Sequence, residues 1–245
     1  QTPDDLMYEG FWMENTLTIL NKISKDPHPT GSSNNRDVRR YLIKQLNSLG
    51  AEVTTQKTQG YSEKRRKAAP VNNIVALFPG KNNDNEKRKK LMLLSHYDSA
   101  KSYSKGAADA GSGVAVILES MRGFLRKSPE HENDILVVFT DGEEIGLLGA
   151  HAFVEQHHLA DSIGLILNFE ARGSSGPVIM WPESKSGTAA MITAYDQANV
   201  EFPVTSSLIY EVYKALPNDT DLTVFKEEKG INGLNFAFIG FFSGC

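Results

Sequence analysis

Cysteine is almost absent from this chain of 245 residues. The one cysteine, Cys245, is the last residue of the sequence, which excludes an intramolecular disulfide framework and a cysteine-rich metal site. Long hydrophobic runs are also missing, because no apolar stretch approaches the roughly 18 residues that a membrane-spanning helix needs. The sequence therefore predicts no membrane span of its own, and it is compatible with a longer parent protein that carries a membrane anchor.

An excess of positive charge and an initiator methionine are lacking as well. The net charge is −4, whereas nucleic-acid-binding domains are basic, so we expect no nucleic-acid partner. The chain begins at Gln1 without a signal peptide. We interpret this start as that of a processed or excised segment, which is compatible with export.

The N-terminal part of the sequence predicts two helices joined by a loop. The first covers residues 4–23 and the second covers residues 34–49, where apolar side chains recur on one face. Ser32 or Ser33 can cap the second helix. The connecting segment "DPHPTGSS" is rich in proline and glycine, and we interpret His28 within it as a loop residue and not as a metal ligand.

The rest of the sequence alternates β-rich and helical runs. Candidate strands are "AEVTTQKT", "NNIVALFPG", "KLMLLSHYD", "DILVVFT", "IGLILNFE", "GPVIMW" and "LNFAFIG". Candidate helices are "GSGVAVILESMRGFLR", "GLLGAHAFVEQHH" and "SGTAAMITAYDQAN", while "TDLTVFKEEKG" reads as a helix or a loop. This alternation predicts an α/β fold with a mostly parallel mixed sheet and helices on both faces. We expect one domain over residues 1–245.

Acidic residues and one histidine collect where predicted strands end. His96 and Asp98 follow one apolar run, the Glu143–Glu144 pair follows a second, and Glu170 follows a third. Asp109 precedes a predicted helix. In open α/β sheets the ligand crevice lies outside the carboxyl ends of the strands. If the three strands are parallel neighbours, these side chains converge on one cleft.

Such a convergence calls for a cation. Carboxylates within a few ångströms of one another repel unless some of them keep a proton or a cation lies between them. One imidazole with several carboxylates and no thiolate suits zinc or another borderline divalent ion, and two-metal hydrolases recurrently use a bridging carboxylate. The alternative for the glutamate pair is structural, because acidic side chains stabilise the first turn of a helix. The shared placement at strand ends favours the metal site.

Several segments together resemble peptidase family M28, the co-catalytic zinc aminopeptidases. They are "LSHYDSA", "GAADAGSGVAVILE", "VVFTDGEEIGLLGAHAFV", "LNFEARGSSGP" and "GLNFAFIG". They look most like the branch of endoplasmic-reticulum metallopeptidases and their bacterial relatives. The resemblance implies a three-layer zinc-aminopeptidase-like sandwich, peptide substrates with a free amino terminus and an extracytoplasmic location.

The resemblance also implies metal ligands. His96 and Glu170 resemble the ligands of one zinc ion. Asp109 resembles the carboxylate that bridges to a second zinc, and Glu144 resembles a further ligand of that second ion.

Two further residues resemble catalytic groups of the family. Glu143 resembles the general base, which takes a proton from water and passes it to the leaving amine. Asp98 resembles the acid that orients His96, since a ligating imidazole needs an acceptor for its other N–H.

One family ligand has no counterpart in the sequence. The family carries a histidine in a loop beyond the strand that corresponds to "FAFIG", but no histidine occurs here after His158. We interpret the chain as truncated at its C-terminus, and we expect one tightly bound zinc or fewer, in place of two, together with impaired activity. Cys245 is an alternative, thiolate ligand for the second ion.

Two other functions stay open. A glutaminyl cyclase shares the fold and the "HYDS" segment, although "DAGSGVAVILE" resembles the aminopeptidases more. A non-catalytic peptidase-like binding domain is favoured by the missing histidine and disfavoured by the retained Glu143, Asp98 and Asp109. Arg172 is either a ligand for a substrate carboxylate or part of a salt bridge within the site.

Overall fold

The computed structural model describes residues 7–8, 10–81, 88–201, 203–205 and 219–240. A small antiparallel sheet consists of β1 (Met7–Tyr8) and β2 (Phe11–Trp12). The strands of the main sheet are β3 (Glu52–Ser62), β4 (Lys67–Phe78), β5 (Lys90–His96), β6 (Ile135–Thr140), β7 (Ile163–Ala171), β8 (Ser175–Glu183) and β9 (Asn232–Gly240). The helices are α1 (Met13–Ile23), α2 (Ser33–Ser48), α3 (Gly113–Lys127), α4 (Leu148–Gln156), α5 (Ala189–Gln197) and α6 (Asp221–Lys229).

The main sheet is mixed, with parallel strands at its centre. The strand order is β3-β4-β6-β5-β7-β9-β8. Strands β6, β5, β7 and β9 are parallel neighbours, and antiparallel strands flank them on both sides. The carboxyl ends of β5, β6 and β7 therefore meet at one edge of the sheet, as the sequence predicted.

Both faces of the sheet are covered by helices. Successive side chains of a strand point to opposite faces, and β6 shows the consequence: Val137 and Phe139 lie in a core with residues of α1, α2 and α3, whereas Leu136 and Val138 lie in a core with residues of α4 and α6. All four side chains are fully buried. Because both faces of β6 are buried, polar and apolar residues do not alternate along this strand. The helices on both faces of the sheet confirm the predicted α/β fold.

The first helix begins later than the sequence predicts. It starts at Met13, not at residue 4, and β2 precedes it directly. The backbone N–H of Trp12 donates a hydrogen bond to Oε1 of Glu119 in α3 (3.2 Å), and Gly10 has a φ of +92°, a left-handed value that favours glycine. A contact made across 107 residues therefore fixes the extended backbone before the helix.

The segment "TDLTVFKEEKG", read from sequence as a helix or a loop, is helix α6. Thr220 and Thr223 form a reciprocal capping box at its start, and Gly230 ends it in the left-handed conformation (φ 67°). Among the helices that the structure describes, none is long and apolar enough to cross a membrane.

Candidate active site

The carboxyl edge of the parallel strands carries the predicted site residues. His96 is the last residue of β5 and lies beside Thr140, the last residue of β6. Glu170 lies near the end of β7. Asp109 lies in the kinked turn Ala107–Ser112 that leads into α3, and its own backbone is not helical (φ −106°, ψ 105°); its peptide bond to the next residue is cis.

His96, Asp109 and Glu170 come together as a candidate metal cluster. The Nε2 atom of His96 lies 3.0 Å from Oδ1 of Asp109 and 3.7 Å from Oε2 of Glu170. One ligand atom of each residue lies within 4.8 Å of the others. Imidazole nitrogens and carboxylate oxygens are both ligand types that zinc binds in proteins.

The electrostatics of the cluster fit a cation. His96 and Glu170 are buried, and Oε1 of Glu170 has no hydrogen-bond partner among the described residues. Burial, with the charges of Asp109 and Asp221, raises the pKa of Glu170 to about 8. A buried acceptor without a donor is costly, and a bound zinc ion would satisfy it. The residues present therefore fit the metal.

The pKa of His96 is shifted by two opposing causes. Burial lowers this pKa, since it disfavours the charged imidazolium. The carboxylates of Glu143, Asp109 and Asp98 act in the opposite direction and raise it well above 6.5. Without a cation, the neighbouring carboxylates therefore favour the protonated imidazole.

The glutamate pair lies on the loop between β6 and α4. Oε2 of Glu143 lies 3.9 Å from Nε2 of His96, and burial raises the pKa of Glu143 well above 4.5. Glu144 lines the same cavity as Asp109 and Glu143, and burial raises its pKa to about 7. Glu144 is not part of the three-residue cluster.

Asp98 connects His96 to the glutamate pair. The Nδ1 atom of His96 lies 3.1 Å from the main-chain oxygen of Asp98 and 3.5 Å from its Oδ1 atom. The same carboxylate accepts hydrogen bonds from the backbone N–H groups of Glu143 (3.1 Å) and Glu144 (3.3 Å) and from the hydroxyl of Thr30 (3.1 Å). The sequence pointed to the contact with His96 and gave no sign of the contact with the loop.

Asp221 is a site residue that sequence reasoning missed. It is the first residue of α6, it is fully buried, and one of its oxygens accepts a hydrogen bond from the hydroxyl of Thr140. Its Oδ1 has no partner among the described residues. Burial raises its pKa to about 6, and its charge in turn raises the pKa of Glu143 and Glu170. In sequence it looks like an ordinary acid in a first helical turn.

Two other residues considered in the sequence analysis are His28 and Cys245. His28 lies in a loop, as predicted, and is buried; its Nδ1 atom lies 2.9 Å from the main-chain oxygen of Asp26. Cys245, the alternative thiolate ligand, falls outside the residues that the structure describes.

The carboxylates line a cavity of about 280 Å³ that also carries cations. Asp109, Glu143, Glu144 and Glu170 share this cavity with three basic residues, Arg65, Lys67 and Arg172, which we call the cationic group. The charge of Arg172 lowers the pKa of Glu170 against the larger effect of burial, so this guanidinium is close to the metal cluster.

Solved structures of two enzyme types share the fold. A zinc aminopeptidase from Bacillus subtilis superposes with a TM-score of 0.73 at 14% identity, over 94% of this chain and 86% of that one. A glutaminyl cyclase from Porphyromonas gingivalis superposes with a TM-score of 0.72 at 21% identity, over 93% and 83%. At these identities the likeness confirms the predicted fold and goes no further.

Sequence comparison identifies the family. The vacuolar membrane protease of Yarrowia lipolytica is 31% identical over 241 residues, which cover 89% of this chain and 24% of that protein. The chain thus spans about a quarter of the length of this relative. The model of peptidase family M28 matches residues 73–243, well over half of the sequence. The chain belongs to peptidase family M28.

Proposed function

We propose that this chain is a zinc-dependent aminopeptidase with Glu143 as its general base. The observation that carries the proposal is the cluster of His96, Asp109 and Glu170, with the Glu143 carboxylate 3.9 Å from the same imidazole nitrogen. We further infer that the described residues form one catalytic domain. An extracytoplasmic or lumenal location is consistent with the name of the vacuolar relative.

His96, Asp109 and Glu170 would hold one zinc ion, and Asp109 with Glu144 would contribute to a second. A bound zinc ion supplies Lewis acidity, which polarises a carbonyl group and lowers the pKa of water. The buried Oε1 atom of Glu170, which has no hydrogen-bond partner among the described residues, supports its assignment as a ligand.

Glu143 moves the proton. Burial raises the pKa of its carboxyl group toward neutral pH, and a general base works best when its pKa lies near the operating pH. It accepts the proton of the attacking water and donates it to the amine that leaves. The hydrogen bond from its backbone N–H to Asp98 fixes the position from which the side chain reaches the cavity.

The remaining carboxylates favour an exopeptidase. Glu144 and Asp109 line the cavity beside Glu143, and acids in this position attract the free ammonium group of a peptide. A peptide bound in this way presents its first peptide bond to Glu143, so we propose peptides with a free amino terminus as substrates.

The test combines activity with metal content. Glu143→Gln should lower kcat on leucyl-4-nitroanilide by roughly 10²- to 10⁴-fold, because the amide accepts no proton, while zinc per chain in elemental analysis stays unchanged. Glu155→Gln is the matched control, since this exposed glutamate lies on α4 away from the cavity. Unchanged kcat in Glu143→Gln would refute the role of this residue. A folded, zinc-loaded protein without turnover on any peptide would favour the non-catalytic binding domain.

Glutaminyl cyclase is the second candidate, supported by the fold of the Porphyromonas gingivalis enzyme. Incubation with a glutaminyl peptide and with a leucyl peptide separates the two functions. A cyclase releases ammonia from the glutaminyl peptide and leaves the leucyl peptide intact, whereas an aminopeptidase releases free leucine.

A further inference from the structure

Asn73 is a fully buried residue of β4 whose side chain contacts both ends of one loop. Its Oδ1 atom accepts a hydrogen bond from the backbone N–H of Asp141 (3.0 Å), and its Nδ2 atom donates to the main-chain oxygen of Gly149 (2.8 Å). Asp141 directly follows β6, and Gly149 is the second residue of α4. The connection between them, residues 141–147, carries the glutamate pair, and we call it the glutamate loop.

A neighbouring side chain fixes the orientation of this amide. The Oε1 atom of Gln56 in β3 accepts a hydrogen bond from Nδ2 of Asn73 (2.9 Å), and the Nε2 atom of Gln56 donates to the main-chain oxygen of Ala152 in α4 (3.0 Å). The Nδ2 atom of Asn73 therefore faces two oxygen atoms, while its Oδ1 atom faces an N–H group. The reverse orientation would set oxygen against oxygen, so the two bonds to the glutamate loop are specified.

The two ends of the glutamate loop lie too close together for a side chain at Gly149. A Cβ atom added there would lie 2.4 Å from the main-chain oxygen of Asp141 and 2.5 Å from Oδ1 of Asn73, far inside van der Waals contact. The backbone N–H of Leu148 also donates to the carbonyl of Gly142 (3.0 Å). Glycine at position 149 thus permits the close approach that Asn73 bonds from the side of β4.

The backbone of the glutamate loop needs such support. Gly142, Gly146 and Leu147 have φ angles of +76°, +138° and +59°. For leucine the left-handed region is unfavourable, because its Cβ atom crowds the backbone. A conformation of this kind persists only where the surrounding contacts over-determine it. Asp98 holds the N–H groups of the glutamate pair, and the contacts of Asn73 hold the ends of the loop.

We propose that Asn73 is a positioning residue for the general base, because it closes the glutamate loop and thereby fixes where Glu143 lies. The inference rests on the proposed function. A general base must lie within hydrogen-bond reach of the proton that it accepts, and a displacement of about 1 Å can cost roughly 100-fold in rate. The ligands of the metal cluster lie outside the glutamate loop, on β5, β7 and the turn before α3, so loosening this loop leaves that cluster in place.

Two variants open the loop in different ways. Asn73→Leu has a side chain of similar size that forms neither hydrogen bond, so the backbone groups of Asp141 and Gly149 lose their partner. Gly149→Ala leaves the amide intact and forces the loop ends apart. Phe78→Leu is the control, because Phe78 is buried at the far end of the same strand and its loss destabilises β4 without touching the glutamate loop.

Hydrogen–deuterium exchange of the zinc-loaded protein measures the loop directly and does not depend on turnover. In Asn73→Leu and Gly149→Ala, peptides that cover residues 141–148 should exchange about tenfold faster or more, with a smaller change in β5 and β7. In Phe78→Leu the loop should change no more than the rest of the sheet. Alanine favours a helix over glycine, so a local effect on α4 alone would slow the exchange in Gly149→Ala.

Kinetics on leucyl-4-nitroanilide separate positioning from a general loss of folded protein. In both loop variants we expect kcat to fall roughly 10- to 100-fold, while KM stays within about twofold of the wild-type value and zinc per chain is unchanged. A variant that merely lost folded protein would lose zinc and activity together. Phe78→Leu should keep the wild-type kcat per bound zinc ion.

Two results would overturn the inference. One is unchanged exchange of residues 141–148 in Asn73→Leu or, where that variant does not fold, in Gly149→Ala. The other is selectively faster exchange of the loop together with an undiminished kcat. A wild-type protein that turns over no peptide would refute the aminopeptidase alone, and the exchange measurement would still decide whether Asn73 closes the glutamate loop.

Discussion

Zinc binding at the His96 cluster should release protons. At pH 7 a carboxyl with a pKa of about 8, as for Glu170, is protonated in roughly nine molecules in ten. Against the opposing effect of burial, the neighbouring carboxylates raise the pKa of His96 well above 6.5, so they favour its protonated form. Both groups must lose their protons to bind a metal, so we expect between one and two protons to leave per zinc ion at pH 7.

The sign of the pH dependence follows from the raised pKa values. Below pH 8 protons compete with the metal for Glu170 and His96, so the apparent zinc affinity rises with pH, by roughly 10- to 100-fold per pH unit near neutrality. Toward pH 9 Glu170 is already ionised, so the number of protons released should fall and the affinity should level off.

Calorimetric titration in two buffers of different ionisation enthalpy counts these protons directly. The measurement is made at pH 7 and at pH 9 on the metal-free protein and on the Glu155→Gln control, whose exposed carboxyl should not change the count. A release below half a proton at pH 7 would refute the reasoning, since burial would then not keep a proton on Glu170 in the absence of a cation.

Two further predictions concern buried titratable groups. Asp221→Asn removes a charge that raises the pKa of Glu170, while its amide oxygen can still accept the hydrogen bond from Thr140. The zinc affinity of this variant should therefore depend less steeply on pH. A steeper dependence in a folded variant would contradict this prediction. Burial and the charge of His158 lower the pKa of His157 from 6.5 to about 4. Between these values the unfolded state binds more protons, so the free energy of unfolding falls as pH drops from 6.5 to 4. In urea denaturation His157→Phe should show a smaller loss across this range, and a loss equal to that of the wild type would count against the assignment.

The sheet centre could be predicted from sequence because its signals are local. Strands β5, β6 and β7 are short apolar runs, and each ends in polar residues that are adjacent in sequence. Once these strands are parallel neighbours, the convergence of His96, Glu143 and Glu170 follows from the geometry of the sheet.

Long-range contacts could not be predicted in the same way. The start of α1 depends on the hydrogen bond from Trp12 to Glu119, 107 residues away. The buried position of Asp221 next to the site depends on its contact with Thr140, 81 residues away. The hairpin that brings Arg65 to the cavity is only a short basic stretch in the sequence. In each case the partner is set by tertiary packing, and no spacing within the sequence encodes it.

Asp98 shows how the fold can give two adjacent glutamates different tasks. Its carboxylate accepts the N–H groups of both Glu143 and Glu144, which fixes the backbone of the pair against the end of β5. The hydrogen bond from Thr30 ties the loop before α2 to the same acid. These hydrogen bonds fix the backbone of the pair. The Glu143 side chain approaches Nε2 of His96, whereas Glu144 lines the cavity and does not belong to the three-residue cluster. The division of roles proposed for the pair thus depends on a buried acid that precedes it by more than forty residues, and that acid also lies against the imidazole of His96.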